Sequence, residues 1–206
     1  MAMTEQTETA ATTGQQPQHK KRKPYIVPFH AVIKLFSTVK LLEGEQAEIV
    51  LGGEKVTLPI AASQLERVRG NSPQPDQTHS IRLWFRTAEG TVTELQFAGL
   101  ALLDEKQAKG AADRKPEFQI AGRIEAVNKD EGTVTLKIEP NSITDLQEAF
   151  FVEVWASLEL LEKLQRPGRT MLFDGEYRPG SGRLVVTRVT PKLVGKLPEK
   201  KVQTEK

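Results

Sequence analysis

The 206-residue chain contains no cysteine. This absence excludes a disulfide framework, a thiolate metal site and a catalytic cysteine. The chain also has only three histidines, His19, His30 and His79, and none of them stands in HxxH, HxH or HExxH spacing. Zinc hydrolysis therefore has little support. We expect no cofactor and no bound metal ion.

Other catalytic signatures are missing as well. There is no GxxxxGK[ST] phosphate loop and no GxSxG nucleophile elbow. The "PGSGR" segment precedes no helix and is typical of a hairpin turn. Asp174 and Glu176 share one face of a predicted strand, where carboxylates are usually solvated surface groups. The sequence favours a protein that is not an enzyme, and an enzyme with a polar pocket is the less favoured alternative.

Long apolar runs are absent too. The first 18 residues lack the apolar stretch of a signal peptide, and no segment approaches the roughly 20 apolar residues that span a bilayer. We expect a soluble cytoplasmic protein without a membrane partner.

The formal net charge is +2, but the two signs are separated along the chain. A basic cluster, Lys20, Lys21, Arg22 and Lys23, and a Lys-rich segment over 192–206 leave residues 24–191 slightly acidic. Residues 1–23 and 192–206 have few apolar side chains and are predicted to be disordered tails. Such tails either bind a polyanion without sequence specificity or only solubilise the protein.

Between the tails, short alternating segments predict strands and few helices. Gly52 and Gly53 separate two of them as a hairpin turn would. "ASQLERVRG" and "SLELLEKLQRPG" predict short helices, the first with a capping box at Ser63 and Glu66 and the second with Leu158, Leu161 and Leu164 on one face. The polar segment 104–116 is predicted to link two modules, 24–103 and 117–191.

The two halves repeat one layout. "LPIAASQLERVRG…SIRLWFRTAEGTVTELQF" matches "VEVWASLELLEKLQRPGRTMLFDGEYRPGSGRLVVTRV" in pattern: a strand, a short helix, then two strands around a glycine turn. The order strand, strand, strand, helix, strand, strand resembles the OB-fold, a five-stranded Greek-key barrel. The resemblance implies a mainly β protein of two small barrels, each with a short helix between its third and fourth strands.

"SIRLWFRT", Ser80 to Thr87, carries the main functional prediction. Alternation places Ile81, Leu83 and Phe85 in the core. It places Arg82, Trp84 and Arg86 on the outer face, an aromatic ring between two cations. OB-folds commonly bind single strands by stacking and charge. We therefore predict that this face, with Lys34 and Lys55 nearby and the cluster Lys20 to Lys23, binds single-stranded RNA or DNA. Alternatively, Trp84 is covered by another part of the chain.

The sequence of the second half predicts a different kind of surface. Its equivalent strand face carries Asp174, Glu176 and Arg178, and the acidic groups would repel phosphates. Phe151 and Trp155 alternate with Phe150, Val152 and Val154, so one apolar set faces away from the core and is predicted to form a protein interface. The first prediction is an accessory nucleic-acid-binding factor within a larger assembly. The alternative is a protein-interaction adaptor with solvated tails.

Overall fold

The computed structural model describes residues 26–71, 73–74, 76–103, 110–111, 113–141, 146–164, 166–191 and 194–195. The predictions for the tail 1–23, with Lys20, Lys21, Arg22 and Lys23, lie outside the described residues. So do those for most of the linker 104–116 and the tail 192–206.

The described chain is mainly β, as the alternating pattern predicted. Its first half contains β1 (His30–Ser37), β2 (Val39–Leu42), β3 (Gln46–Leu51), β4 (Glu54–Pro59), helix α1 (Leu65–Gly70), β5 (His79–Ala88) and β6 (Thr91–Leu102). Its second half contains β7 (Glu117–Asn128), β8 (Thr133–Ile138), β9 (Phe150–Trp155), helix α2 (Leu158–Lys163), β10 (Thr170–Arg178) and β11 (Arg183–Pro191). No helix of the described residues is long and apolar enough to cross a membrane.

Local signals placed several elements correctly. Gly52 and Gly53 form the turn between β3 and β4, both with positive φ, as a two-residue hairpin turn requires. Helix α1 ends at Gly70 as predicted. The predicted capping box at Ser63 is wrong, because a 3₁₀ turn over Ala62–Gln64 leads into α1 and no side chain caps its first turn.

Helix α2 begins after Ser157, whose side-chain oxygen accepts a hydrogen bond from the Leu160 amide. Leu161 and Leu164 are buried. Leu158 is 59% exposed, so only two of the three leucines at helical spacing pack into the core. Leu158 is the first residue of the helix, and its side chain remains at the surface.

In the second half, the strand pairings form a circuit. Antiparallel ladders join β7 to β8, β8 to β9, β7 to β10, and β10 to β11. A parallel contact between Val185 and Trp155 joins β11 back to β9. In the first half, β2, β3 and β4 form a separate three-stranded sheet, and β1, β5 and β6 pair in that order. A parallel bridge between Ile60 and Phe97 connects the end of β4 to β6.

The two halves are joined through main-chain hydrogen bonding. β1 pairs antiparallel with β7, from His30 opposite Ala121 to Lys34 opposite Glu117. One eight-stranded sheet therefore runs through both halves. No local pattern predicted this ladder, because the strand edges that pair carry no signal for a distant partner. The ladder satisfies backbone groups that would otherwise remain at exposed edges.

The core follows the period-two pattern. Ile81, Leu83 and Phe85 are buried on β5, as predicted from "SIRLWFRT". On β9, Val152 and Val154 are buried, whereas Phe151 is 51% exposed. Packing of these apolar faces fixes which side chains of β1, β5 and β9 point outward.

Candidate nucleic-acid interface

Two cations face each other on the outer side of the first half. Lys34 on β1 is the direct cross-strand partner of Arg82 on β5, and both side chains are exposed. Like charges directly opposite each other on antiparallel strands destabilise a sheet. Among the described residues, neither cation has a carboxylate within 4.0 Å. This pair is therefore a site where an anion would relieve repulsion.

The charge of this sheet face changes sign between β1 and β7. Lys34 has Arg82 on one side and Glu117 on the other, and Glu117 in turn lies opposite Glu176 on β10. Glu176 also pairs with Lys115 at 3.7 Å. A polyanion is thus attracted to the β1–β5 side of the sheet and repelled from the β7–β10 side.

Trp84 is half-buried and lies two residues beyond Arg82 on the same face of β5. Its cross-strand neighbour on β6 is Gln96. The indole borders a cleft and is not fully covered by the rest of the chain. The indole is therefore partly covered by protein and partly accessible from the cleft.

Arg86 is exposed, and its guanidinium carbon lies 4.2 Å from the centroid of the Phe150 ring on β9. This cation–π contact joins the first half to the second. Glu94 on β6 is the cross-strand partner of Arg86, yet no ion pair within 4.0 Å forms between them. Arg86 is thus oriented by an aromatic ring and not by its acidic neighbour.

The cleft beside Trp84 has a volume of about 670 Å³. It lies between β4 and β6, next to β8 and β9 of the second half. Its lining combines apolar with polar and charged side chains from both halves: His30, Ala31, Thr57, Leu58, Pro59, Trp84, Phe85, Arg86, Thr93, Glu94, Leu95, Gln96, Ile138, Leu146 and Phe150. A volume in the range of about 300–1,000 Å³ is typical of small-ligand sites.

Lys55 lies apart from the β1–β5 face. It is on β4 in the three-stranded sheet, and its Nζ pairs with Oε1 of Glu48 at 3.1 Å. Lys55 thus belongs to a different sheet from Arg82, and it has a carboxylate partner that Arg82 lacks among the described residues. The predicted residues that share one surface are therefore Lys34, Arg82, Trp84 and Arg86.

Trp155 connects the two halves. Its Nε1 donates a hydrogen bond to the carbonyl oxygen of Gly90 at 2.7 Å, and the guanidinium of Arg183 lies 4.1 Å from its ring centroid. Phe151, four positions earlier on the same face, is largely exposed and lies opposite Lys137 on β8. The two aromatic residues that the sequence grouped together thus have different surroundings.

A hydrogen-bonded chain that the sequence did not predict crosses four strands. His30 Nδ1 lies 2.9 Å from the Pro28 carbonyl oxygen, and His30 Nε2 lies 3.2 Å from Oε1 of Gln119. Gln119 donates to Asp174 at 2.9 Å, and Arg188 donates to the same carboxylate at 3.0 Å and 3.2 Å. Burial is the main cause that lowers the pKa of His30. The Asp174–Arg188 contact follows from the register of the β10–β11 hairpin, whereas the contacts of Gln119 with Asp174 and with His30 require the long-range β7–β10 and β1–β7 pairings.

His79, at the start of β5, is fully buried, and neither ring nitrogen has a hydrogen-bond partner among the described residues. Within the same residues, no group of three or more His, Asp or Glu side chains is arranged to hold a metal ion.

No protein-family model and no curated protein matches this chain. A search of solved structures aligns it with the crystal structure of wild-type single-stranded DNA binding protein from Thermus aquaticus. That alignment covers 86% of this chain and 100% of the other, at 15% sequence identity and a TM-score of 0.40. The similarity is too weak to transfer a fold or a function.

Proposed function

We propose that this protein binds single-stranded nucleic acid, RNA or DNA, without catalysing a reaction, as an accessory factor in a larger assembly. The observation that carries the proposal is the unneutralised pair Lys34 and Arg82 beside the accessible ring of Trp84. Phosphates provide the missing negative charge. An aromatic ring next to them favours single strands, because their bases are free to stack.

The proposed architecture is a tandem of OB-like barrels. The circuit of pairings β7–β8–β9–β11–β10–β7 supports it in the second half. In the first half, β1 with β2 takes the place of the first strand, and the bridge from Ile60 to Phe97 takes the place of the β9–β11 contact. OB barrels bind oligonucleotides with a charged groove and stacking residues, commonly on the face of their second and third strands. Here the charge and the ring lie on β1 and β5, which take the places of the first and fourth strands.

The ends of the described chain support a role for the basic tails. Val27 and Val194 form a parallel bridge, and the Gly195 amide donates to the Val27 carbonyl oxygen at 3.1 Å. The cluster Lys20 to Lys23 stands only four to seven positions before Val27 in the sequence, and Lys196, Lys200 and Lys201 follow Val194. Both basic segments therefore connect to the same place on the protein, so both can act on one polyanion.

An adaptor function is the alternative, and exposed apolar side chains of the second half favour it. Phe151 is 51% exposed and Leu158 is 59% exposed. In that case, a protein partner binds the second half, and deletion of residues 1–23 and 192–206 leaves partner binding intact.

The test is fluorescence anisotropy with labelled single-stranded RNA and DNA and the full chain at two salt concentrations. We expect binding that weakens with salt, because phosphate contacts release counterions. Trp84→Ala should raise Kd by about 5- to 150-fold, since stacking is worth about 1–3 kcal/mol per base. Trp84→Phe keeps a ring and should restore most of the affinity.

A charge reversal supplies the second arm. Arg82→Glu should weaken binding at least tenfold, and Lys129→Glu, in the exposed β7–β8 turn, is the matched control that changes net charge equally. Arg82→Glu also places an acid opposite Lys34, so the variant should remain folded. Absence of binding to any oligonucleotide, or equal losses in Arg82→Glu and Lys129→Glu, would overturn the proposal.

A further inference from the structure

Resting on the proposed function, we propose that the cleft beside Trp84 selects an unpaired base with an exocyclic amino group. Cytosine, adenine and guanine belong to this class, whereas thymine and uracil do not. The residue that would read the amino group is Glu94, with Gln96 beside it. This assignment adds base selectivity to a site otherwise defined by charge and stacking.

The register of β5 and β6 places four cleft residues in one compact patch. Trp84 is opposite Gln96, and Arg86 is opposite Glu94. Directly opposed residues on antiparallel strands have Cβ atoms about 4.5–5.5 Å apart. All four side chains line the same cleft. A stacking ring and two hydrogen-bonding groups thus lie within the reach of a single base.

The carboxylate of Glu94 is available to a ligand. Its natural partner by register is Arg86, but the guanidinium of Arg86 lies over the Phe150 ring at 4.2 Å. No Lys or Arg of the described chain pairs with Glu94 within 4.0 Å. The Phe150 contact thereby leaves an unpaired acceptor on the wall of the cleft.

The carboxylate of Glu94 would repel a phosphate group. Its position on the wall of the cleft therefore points to the base, and not the phosphate, as its ligand. The carboxylate accepts hydrogen bonds, and Glu is a known partner of the cytosine amino group. The adenine amino group is a donor of the same kind. Thymine and uracil present oxygen acceptors at the equivalent edge, which repel a carboxylate. Glu94 therefore favours amino-bearing bases and disfavours the others.

The remaining walls suit the apolar faces of a base. Leu58 on β4 and Leu95 on β6 line the cleft, and Phe150 lines it from the second half. Arg82 precedes Trp84 by two positions, which is about 7 Å along a strand. A phosphate held by Arg82 and Lys34 is thus close enough to belong to the nucleotide whose base enters the cleft.

The test compares oligodeoxynucleotides of equal length, containing only dC, only dA or only dT, by anisotropy with the full chain. We expect dC and dA to bind at least fivefold more tightly than dT. Hypoxanthine in place of adenine, which exchanges the amino group for an oxygen, should lose most of that advantage. Glu94→Gln should reduce the preference to within about twofold, since its amide also donates to oxygen acceptors.

Glu89→Gln, in the β5–β6 turn outside the cleft, removes the same charge and is the matched control. It should keep the preference, and thermal melting should show both variants folded. Equal affinity for dC, dA and dT would overturn the base selectivity and leave the proposed function standing. Identical changes in Glu94→Gln and Glu89→Gln would also overturn the selectivity. Absence of binding to all three would overturn the proposed function itself.

Discussion

Nε1 of Trp155 donates a hydrogen bond to the carbonyl oxygen of Gly90 at 2.7 Å, across 65 positions of the chain. The bond joins β9 of the second half to the β5–β6 turn of the first half. Two further contacts support it: the Glu153 amide donates to Oγ1 of Thr87 at 2.8 Å, and the Val92 amide donates to the Gly182 carbonyl at 2.8 Å. The halves are therefore docked at this turn as well as through the β1–β7 ladder.

Gly90 is required by this contact and by its own backbone. Its φ is +70°, and a Cβ at this position would lie 2.8 Å from Nε1 of Trp155. We expect Gly90→Ala to lower the free energy of unfolding by about 2–4 kcal/mol. Left-handed backbone strain contributes about 1–2 kcal/mol, and the energy needed to displace the indole of Trp155 adds to it. Urea denaturation measures the loss.

Gly44→Ala is the matched control for that prediction. Gly44 has a similar φ of +73°, but a Cβ there would meet no atom within 4 Å. Gly44→Ala should therefore lower the free energy of unfolding only by the cost of the backbone strain. Equal losses in the two alanine variants would show that the Trp155 contact contributes nothing at Gly90.

The stability of the protein should depend on the protonation of His30. Burial lowers the pKa of His30 below its ordinary value, opposed by the hydrogen bonds to Pro28 and Gln119. Among the charged groups facing the ring, Lys34 lowers the pKa and Asp174 raises it. Because folding favours the neutral ring, this contribution is present above about pH 6.5 and is lost as the pH falls below it.

The measurement is the free energy of unfolding at pH 7.5 and pH 5.5 for the native chain and for His30→Gln. The native chain should lose stability across this interval, by at most about 1.4 kcal/mol per pH unit from one proton. His30→Gln, which cannot titrate, should lose less. An identical pH dependence in both proteins would contradict the prediction.

We expect the buried side chain of His79 to lower the stability of the folded protein. Its ring is buried without a hydrogen-bond partner among the described residues, and such a group costs about 1–3 kcal/mol. We therefore expect His79→Leu to raise the free energy of unfolding by about 1 kcal/mol or more, measured by thermal and urea unfolding. His79→Gln keeps a buried polar group and should give no gain. A leucine variant less stable than the glutamine variant would show that the imidazole is satisfied in solution.

Local pattern was sufficient for much of the fold. The period-two alternation of "SIRLWFRT" determined that Ile81 and Leu83 enter the core and that Arg82 points outward, because a strand with one apolar face has only one favourable orientation. Gly52 and Gly53 determined a hairpin through their positive φ angles. The prediction of a helix between the third and fourth strands holds in the second half but is wrong in the first, where four strands precede α1 because β1 and β2 are separate strands.

Which distant groups meet depends on long-range packing and strand pairing. Lys55 forms an ion pair with Glu48. Arg86 lies over the ring of Phe150 and forms no ion pair with Glu94. The side chains of His30 and Gln119 are in contact although 89 positions separate them in the chain. Residue type states what a side chain can bond to, whereas packing and strand register determine which partner lies within reach. The strands and the outward face of β5 thus follow from local patterns of residues. The β1–β7 ladder, the cleft between the halves and its unpaired carboxylate were decided by long-range packing, which local periodicity does not encode.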